Sequence, residues 1–405
     1  MIQKIIRISR VIKNARLSIR KPRRTQILLV HREGLDTLAA FVDIHEITTL
    51  DSSELNLWVL IRCLCARKLS FFHYIAKHIE TTRPKLVMTF TDNDQSFYLL
   101  KALNPRPKYI AIQNGLRNNY SYEFKRGFFD ELEKLKETKR LAADVVCTFG
   151  TAFSAIFENH IQTSCLVTGN LKNNLANTVD TQNDYIFDIL YMSQLAPFDF
   201  SKSEQRIYLN DSSVSIQEFY EIESQVAKFL AEYCLMHSLR FAVSGKREVQ
   251  DSYEANFFSK MIGDTPFTFL PRTNHYSSYT NALRSRVVIV VDSTIGYELL
   301  SRNKRVGFFS ARNIGESTST RLSRDNCFGY PNVYPDFGPF WTNTQNPIEY
   351  ERIIKYLMTV SNAEWSQEIE PYTEALMAYR PTNGEFIHML EKEGIPVKSE
   401  VLHRA

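Results

Sequence analysis

From residue 26 onward, short and almost uninterrupted apolar runs alternate with longer amphipathic segments, and this alternation constrains the fold more than any other feature. QILLV (26–30), KLVMTF (85–90), KYIAIQ (108–113), DVVCTF (144–149) and SCLVTG (164–169) read as strands. Residues 54–82 read as one long helix, and 95–103, 127–141 and 151–160 as shorter ones. Strands that are apolar along their whole length suit a parallel sheet covered on both faces. Their alternation with helices makes that sheet doubly wound.

A polar, Asn-rich stretch, NLKNNLANTVDTQNDYI (170–186), reads as a hinge, after which the alternation restarts. DILYMSQ (188–194), LRFAVSG (239–245), FTFL (267–270), VVIVV (287–291) and RVGFFS (305–310) read as strands. Helices are expected at 214–237, 251–262, 277–284 and 294–301, then at 349–360, 363–379 and 384–393. With 405 residues the chain is long enough for two domains. The expected division is a basic segment at 1–25, a Rossmann-like acceptor domain at 26–178 and a Rossmann-like nucleotide-donor domain at 179–345. Helices at 346–405 complete it and can cross back to the first domain, with a cleft expected between the two.

Charge is uneven. The net charge is +4, yet residues 1–24 hold nine Lys/Arg and no acid. On a helix, Ile5, Ile8, Ile12, Ala15 and Ile19 form a narrow apolar stripe flanked by cations, a pattern suited to an anionic membrane surface or to packing on the chain's own domain. No second basic patch with interleaved aromatics follows, which speaks against nucleic acid. No apolar run is long enough to span a bilayer, and a secretory signal is not expected. The six cysteines lack CxxC spacing, which fits a reducing compartment and argues against a zinc site. The expected location is cytoplasmic, peripheral to the inner membrane of a bacterium.

In open α/β sheets, ligands bind beyond the carboxyl ends of strands, where helix N-termini offer free N–H groups. Asp292, Ser293 and Thr294 follow VVIVV at such a point. Ser293 or Thr294 can cap the next helix, but the capping-box positions are Gly296 and Tyr297, neither of them acidic. Glu298, one turn below Thr294, is placed to accept the hydroxyls of a ribose. Ser244, Lys246 and Arg247, at the end of FAVSGKRE, are candidates for a donor phosphate, or else a solvated turn. In the first half, Asp92 and Asp94 in TFTDND suit acid–base work on an acceptor hydroxyl, although helix capping explains one of them. Gln113, Asn114 and Arg117 lie after the neighbouring strand, with Asn114 a catalytic candidate and Gln113 and Arg117 acceptor-binding ones. A D-x-D pair can also hold a divalent metal, but the tandem layout argues against that, and neither metal nor cofactor is expected.

Together IQNGLR, TFTDND, VTGNLKNN (167–174), ILYMSQ (189–194) and VVDSTIGYELL resemble bacterial surface-carbohydrate biosynthesis proteins, the GT-B-type transferases of O-antigen and capsule assembly. More distantly the pattern is similar to capsule β-Kdo transferases and CDP-glycerol glycerophosphotransferases. The string S-T-x-G-x-E, here Ser293, Thr294, Gly296 and Glu298, implies nucleotide-donor binding. Many relatives carry His-Pro before that string, where this chain reads FLPRTNHYSSY, and the phosphotransferase branch has QHG where this chain has Gln113, Asn114 and Gly115. The resemblance implies a glycosyltransferase using a nucleotide sugar, CMP-linked donors included, on a surface polysaccharide or lipid-linked glycan. The rival readings are a CDP-polyol phosphotransferase and a non-catalytic subunit of an assembly complex.

Overall fold

The computed structural model describes residues 16–51, 54–68, 70–117, 127–176, 185–195, 206–209, 212–248, 252–310, 312 and 326–399. Two compact units emerge: Met1–Gly115 with Leu132–Leu175 and Arg380–Ala405, and Leu116–Glu131 with Ala176–Tyr379.

The strands of the first unit are β1 (Arg16–Ser18), β2 (Ile27–Val30), β3 (Ile47–Leu50), β4 (Glu54–Asn56), β5 (Leu86–Thr89), β6 (Lys108–Ile112), β7 (Ala142–Thr148) and β8 (Gln162–Val167). Six of them form one parallel sheet in the order β3-β2-β5-β6-β7-β8. Every residue of β2 and β5 is buried, as strands covered on both faces require. Leu29, Met88 and Ile110 share a core with Phe386, Ile387 and Leu390 of the helix Gly384–Lys392. Each such side chain contributes roughly 1.5–3 kcal/mol by leaving water.

Two expectations need correction here. Residues 54–82 are not one helix: β4 is followed by separate helices at Leu57–Cys65 and Phe71–Thr82. Asn56 caps the first by accepting from Val59 N at 3.2 Å, and Ser70 caps the second by accepting from His73 N at 3.2 Å. The amphipathic helix expected from the N-terminus does not extend through residue 18, because β1 pairs in parallel with β4. Residues 1–15 lie outside the described residues. The Asn-rich stretch read as a hinge begins as ordered structure, since Leu171–Leu175 is helical and Asn174 Nδ2 donates to Thr168 O (2.9 Å) and Asn383 Oδ1 (2.8 Å), and the boundary between the two units falls just after it, between Leu175 and Ala176. Residues 177–184 of that stretch lie outside the described residues.

The second unit contains β9 (Phe187–Met192), β10 (Arg206–Leu209), β11 (Ser212–Ser215), β12 (Phe241–Glu248), β13 (Thr268–Arg272), β14 (Ser285–Val290), β15 (Val306–Phe309), β16 (Phe337–Gly338) and β17 (Trp341–Thr342). Its sheet runs β13-β12-β9-β14-β15-β17-β16, parallel except for the last pair. β10 and β11 form an antiparallel pair outside this sheet. Ser215 then opens the helix Ile216–Met236 with a capping box closed by Glu218. The helix Thr294–Ser301 lies close on its sheet because residue 296 is glycine. A Cβ there would sit 2.6 Å from Val290 Cγ2 and 2.9 Å from Phe308 Cε1. No helix among the described residues is long and apolar enough to cross a membrane.

Candidate active site

In the second unit β9 is flanked by β12 and β14, and the chain winds outward in opposite directions from it. The carboxyl ends of β9 and β14 therefore mark a topological switch point, where open sheets of this kind bind ligands. Ser193 and Gln194 follow β9, Asp292 and Ser293 follow β14, and Ser244 lies on β12 next door. Buried charges hold this corner together. Arg312 donates to Asp292 through Nε (2.8 Å, to Oδ2) and Nη2 (2.7 Å, to Oδ1), and through Nη2 to Glu223 Oε1 at 3.0 Å. Glu223 also accepts from Tyr191 OH (2.5 Å) and Gln194 N (3.3 Å). The Asp292 carboxylate is thus buried and engaged by Arg312.

Glu254 plays the same part for β12, accepting from Lys246 N at 2.8 Å, Arg247 N at 2.9 Å and the Ser193 hydroxyl. Burial raises the Glu254 carboxyl above its ordinary range, against those hydrogen bonds. The Lys246 side chain is left exposed, while Ser244 is buried and accepts from Asn281 Nδ2 at 3.1 Å. Ser293 occupies the N-cap in extended geometry, but its side chain makes no capping bond. Thr294 Oγ1 accepts from Leu116 N at 3.3 Å. Glu298 is buried and accepts from the Tyr279 hydroxyl. Burial, then the Glu298 charge, pushes Tyr279 well above the ordinary tyrosine range.

The first unit has its own switch point, between β2 and β5, since β3 lies on one side of β2 and the remaining strands on the other. His31 directly follows β2 and Asp94 follows β5. His31 Nε2 lies 2.9 Å from Asp94 Oδ2, with both side chains partly exposed. The backbone of His31 is left-handed (φ 68°), rare for a residue with a Cβ, and its N–H donates to Leu50 O at 2.8 Å. Gly34 completes the loop with φ 77°, where a Cβ would meet the Phe90 ring at 2.1 Å. The other Asp94 oxygen accepts from Ser96 N (2.9 Å) and Ser96 Oγ (2.7 Å). The hydrogen bond to Asp94 raises the His31 pKa above 6.5, against burial. Burial favours the neutral acid at Asp94, but the bonds from His31 and Ser96 outweigh it and lower its pKa.

The remaining candidates are placed differently. Asp92 is fully buried and its Oδ1 accepts from Asn114 N at 3.0 Å, so it ties the ends of β5 and β6 together and is removed from acid–base contact with a substrate. Gln113 is also buried, accepting from Phe149 N at 2.8 Å and donating to Gly115 O at 3.2 Å. Asn114 is exposed, and Arg117 is half-buried in the stretch that belongs to the second unit. Sequence reasoning missed His31, Glu223, Glu254 and Arg312. A histidine directly after QILLV was the available signal for the first; nothing local marks the others.

Two parallel α/β units, each with a switch point at its strand ends, define a protein of the GT-B-like class. Residues 110–394, about seven-tenths of the chain, match the family described as "putative O-antigen biosynthesis protein", and the chain belongs to that family. Among solved structures, a "putative UDP-N-acetylglucosamine 2-epimerase" from Listeria monocytogenes is similar over 92% of this chain and 96% of its own, with 12% identity and a TM-score of 0.51. A glycosyltransferase from Rickettsia africae is similar over 94% and 100%, with 12% identity and a TM-score of 0.47. The wall teichoic acid polymerase TagF is similar over 91% and 88%, with 8% identity and a TM-score of 0.47. No curated protein matches the sequence.

Proposed function

We propose that this chain is a glycosyltransferase that moves a sugar from a nucleotide-linked donor to a bacterial surface polysaccharide or lipid-linked glycan. The observation that carries the chemistry is the His31–Asp94 hydrogen bond at a switch point. When Nε2–H donates to the Asp94 carboxylate, Nδ1 carries the lone pair, which is the tautomer a general base needs. An acceptor hydroxyl passes its proton to Nδ1 as its oxygen bonds to the sugar's anomeric carbon. The bond from that carbon to the phosphate oxygen breaks, and its electrons leave with the nucleotide. Asp94 is then a positioning residue and not the base itself.

In this reading the second unit binds the donor: Ser293, Thr294, Lys246 and Arg247 at the phosphates, Glu298 at the ribose, with Ser244 and Asp292 shaping the corner. Gln113 and Asn114 shape the acceptor side, and Arg117 contacts the acceptor. The reaction is proposed to need no metal, since His31 and Ser96 already engage the Asp94 carboxylate. The protein acts on the cytoplasmic side of the inner membrane, with residues 1–24 against anionic lipid.

Thermal unfolding with CMP, CDP, UDP and GDP tests the donor assignment, because a ligand that binds only the folded state raises Tm with occupancy. The reading expects at least one nucleotide to stabilise the protein. Indifference to all four at millimolar concentration contradicts it.

A further inference from the structure

At the opposite edge of the first unit lies a groove of 980 Å³. Arg24 stands just before β2, Lys85 just before β5 and Pro107 just before β6, so the groove follows the amino ends of the parallel strands that carry His31 and Asp94 at their carboxyl ends. Among the described residues, seven Lys/Arg line it against a single carboxylate, Glu80, which is paired with Lys77. Trp58 is a platform for two of the cations, with Lys21 Nζ 5.6 Å and Arg62 Cζ 4.7 Å from its ring centre.

The elements around the groove also expose large apolar side chains. Ile19 is 76% exposed and Ile61 58%, with Leu64 and Leu103 also open to solvent. Ile61, Arg62 and Leu64 all belong to the helix Leu57–Cys65. A soluble phosphate has no use for an apolar rim, whereas a bilayer offers anionic headgroups and hydrocarbon to neighbouring side chains.

We propose that this groove and its rim are a docking site for the phosphate headgroups of an anionic bilayer. The site is separate from both strand-end corners and does not depend on the transfer chemistry. Docking here holds His31 at least a strand's length, roughly 13 Å, from the headgroups. On the proposed function, that distance favours an acceptor hydroxyl carried on a glycan chain over one next to its lipid.

The test is co-sedimentation of the full chain with phosphatidylcholine vesicles containing phosphatidylglycerol, and with phosphatidylcholine alone, at low and high salt. The full chain is expected to bind only the anionic vesicles, more weakly as salt rises. Arg24→Gln/Arg62→Gln/Arg106→Gln should weaken binding about tenfold or more, with residues 1–15 intact and Tm unchanged. Ile61→Ser/Leu64→Ser should weaken it while leaving the salt dependence in place. Undiminished binding by the triple variant overturns the proposal, since the affinity then lies elsewhere, in residues 1–15 for example. Saturable binding of inorganic pyrophosphate without vesicle binding overturns it as well, by making the groove a soluble-anion site.

Discussion

His31 and Asp94 are 63 positions apart, yet β2 and β5 lie side by side and bring Nε2 within 2.9 Å of Oδ2. If this pair is the base and its orienter, His31→Gln should reduce transfer by about 10²–10⁴-fold while nucleotide affinity holds. Steady-state kinetics alongside calorimetric nucleotide titration checks both halves.

Asp94→Asn should change the pH profile as well as the rate. The hydrogen bond to Asp94 raises the His31 pKa, and a base works only when neutral, so activity should climb as pH rises through that value. Removing the carboxylate lets the pKa fall, so the acidic limb should move to lower pH. An unmoved limb with reduced rate would leave Asp94 a packing role only.

The same pair has a stability signature. A histidine with a raised folded pKa stabilises fully below its unfolded value and loses that contribution as pH rises through the folded one. An aspartate with a lowered folded pKa stabilises above its unfolded value and loses that as pH falls through the folded one. The stability gap between wild type and His31→Gln should therefore be widest between the ordinary values of the two groups, 3.8 and 6.5, and narrow on either side. Urea unfolding across that range measures it.

Arg312→Met should destabilise the protein by about 3–5 kcal/mol, because it strips the partner from the buried carboxylates Asp292 and Glu223. Chemical unfolding gives the value. A change within experimental error would mean that the cluster is solvated and not an anchor.

Glu298→Gln keeps the shape of the side chain and its contact with Tyr279 but removes the charge. Nucleotide affinity should fall by about 1.5–3 kcal/mol, the share of a hydrogen bond to a charged group, with Tm nearly unchanged. Calorimetry with the stabilising nucleotide decides the matter.

The strand–helix alternation made most of both sheets legible, since fully buried parallel strands write themselves as apolar runs. The helix Thr294–Ser301 begins where the sequence put it. Short strands escaped notice: β3, reading ITTL, is half polar, and β10 and β11 sit in no long apolar run. Strand-end position put Ser244 on β12, Ser293 after β14 and Glu298 on the helix that follows, where the structure has them. Position alone could not separate Asp92, buried as a tie between strands, from Asp94, which meets histidine. That distinction depends on which strands neighbour one another, and so did His31. Arg312 reaches Asp292 across 20 positions and Glu223 across 89, distances no local pattern encodes.

The central claim is base-assisted transfer from a nucleotide sugar, and the most direct measurement is nucleotide release from a panel of CMP-, CDP-, UDP- and GDP-linked sugars, with water as acceptor. Wild type should release nucleotide slowly from at least one donor, with a rate that rises through the His31 pKa, and His31→Gln should abolish release while still binding that nucleotide. Release from none of the donors, or equal release by His31→Gln, contradicts the account.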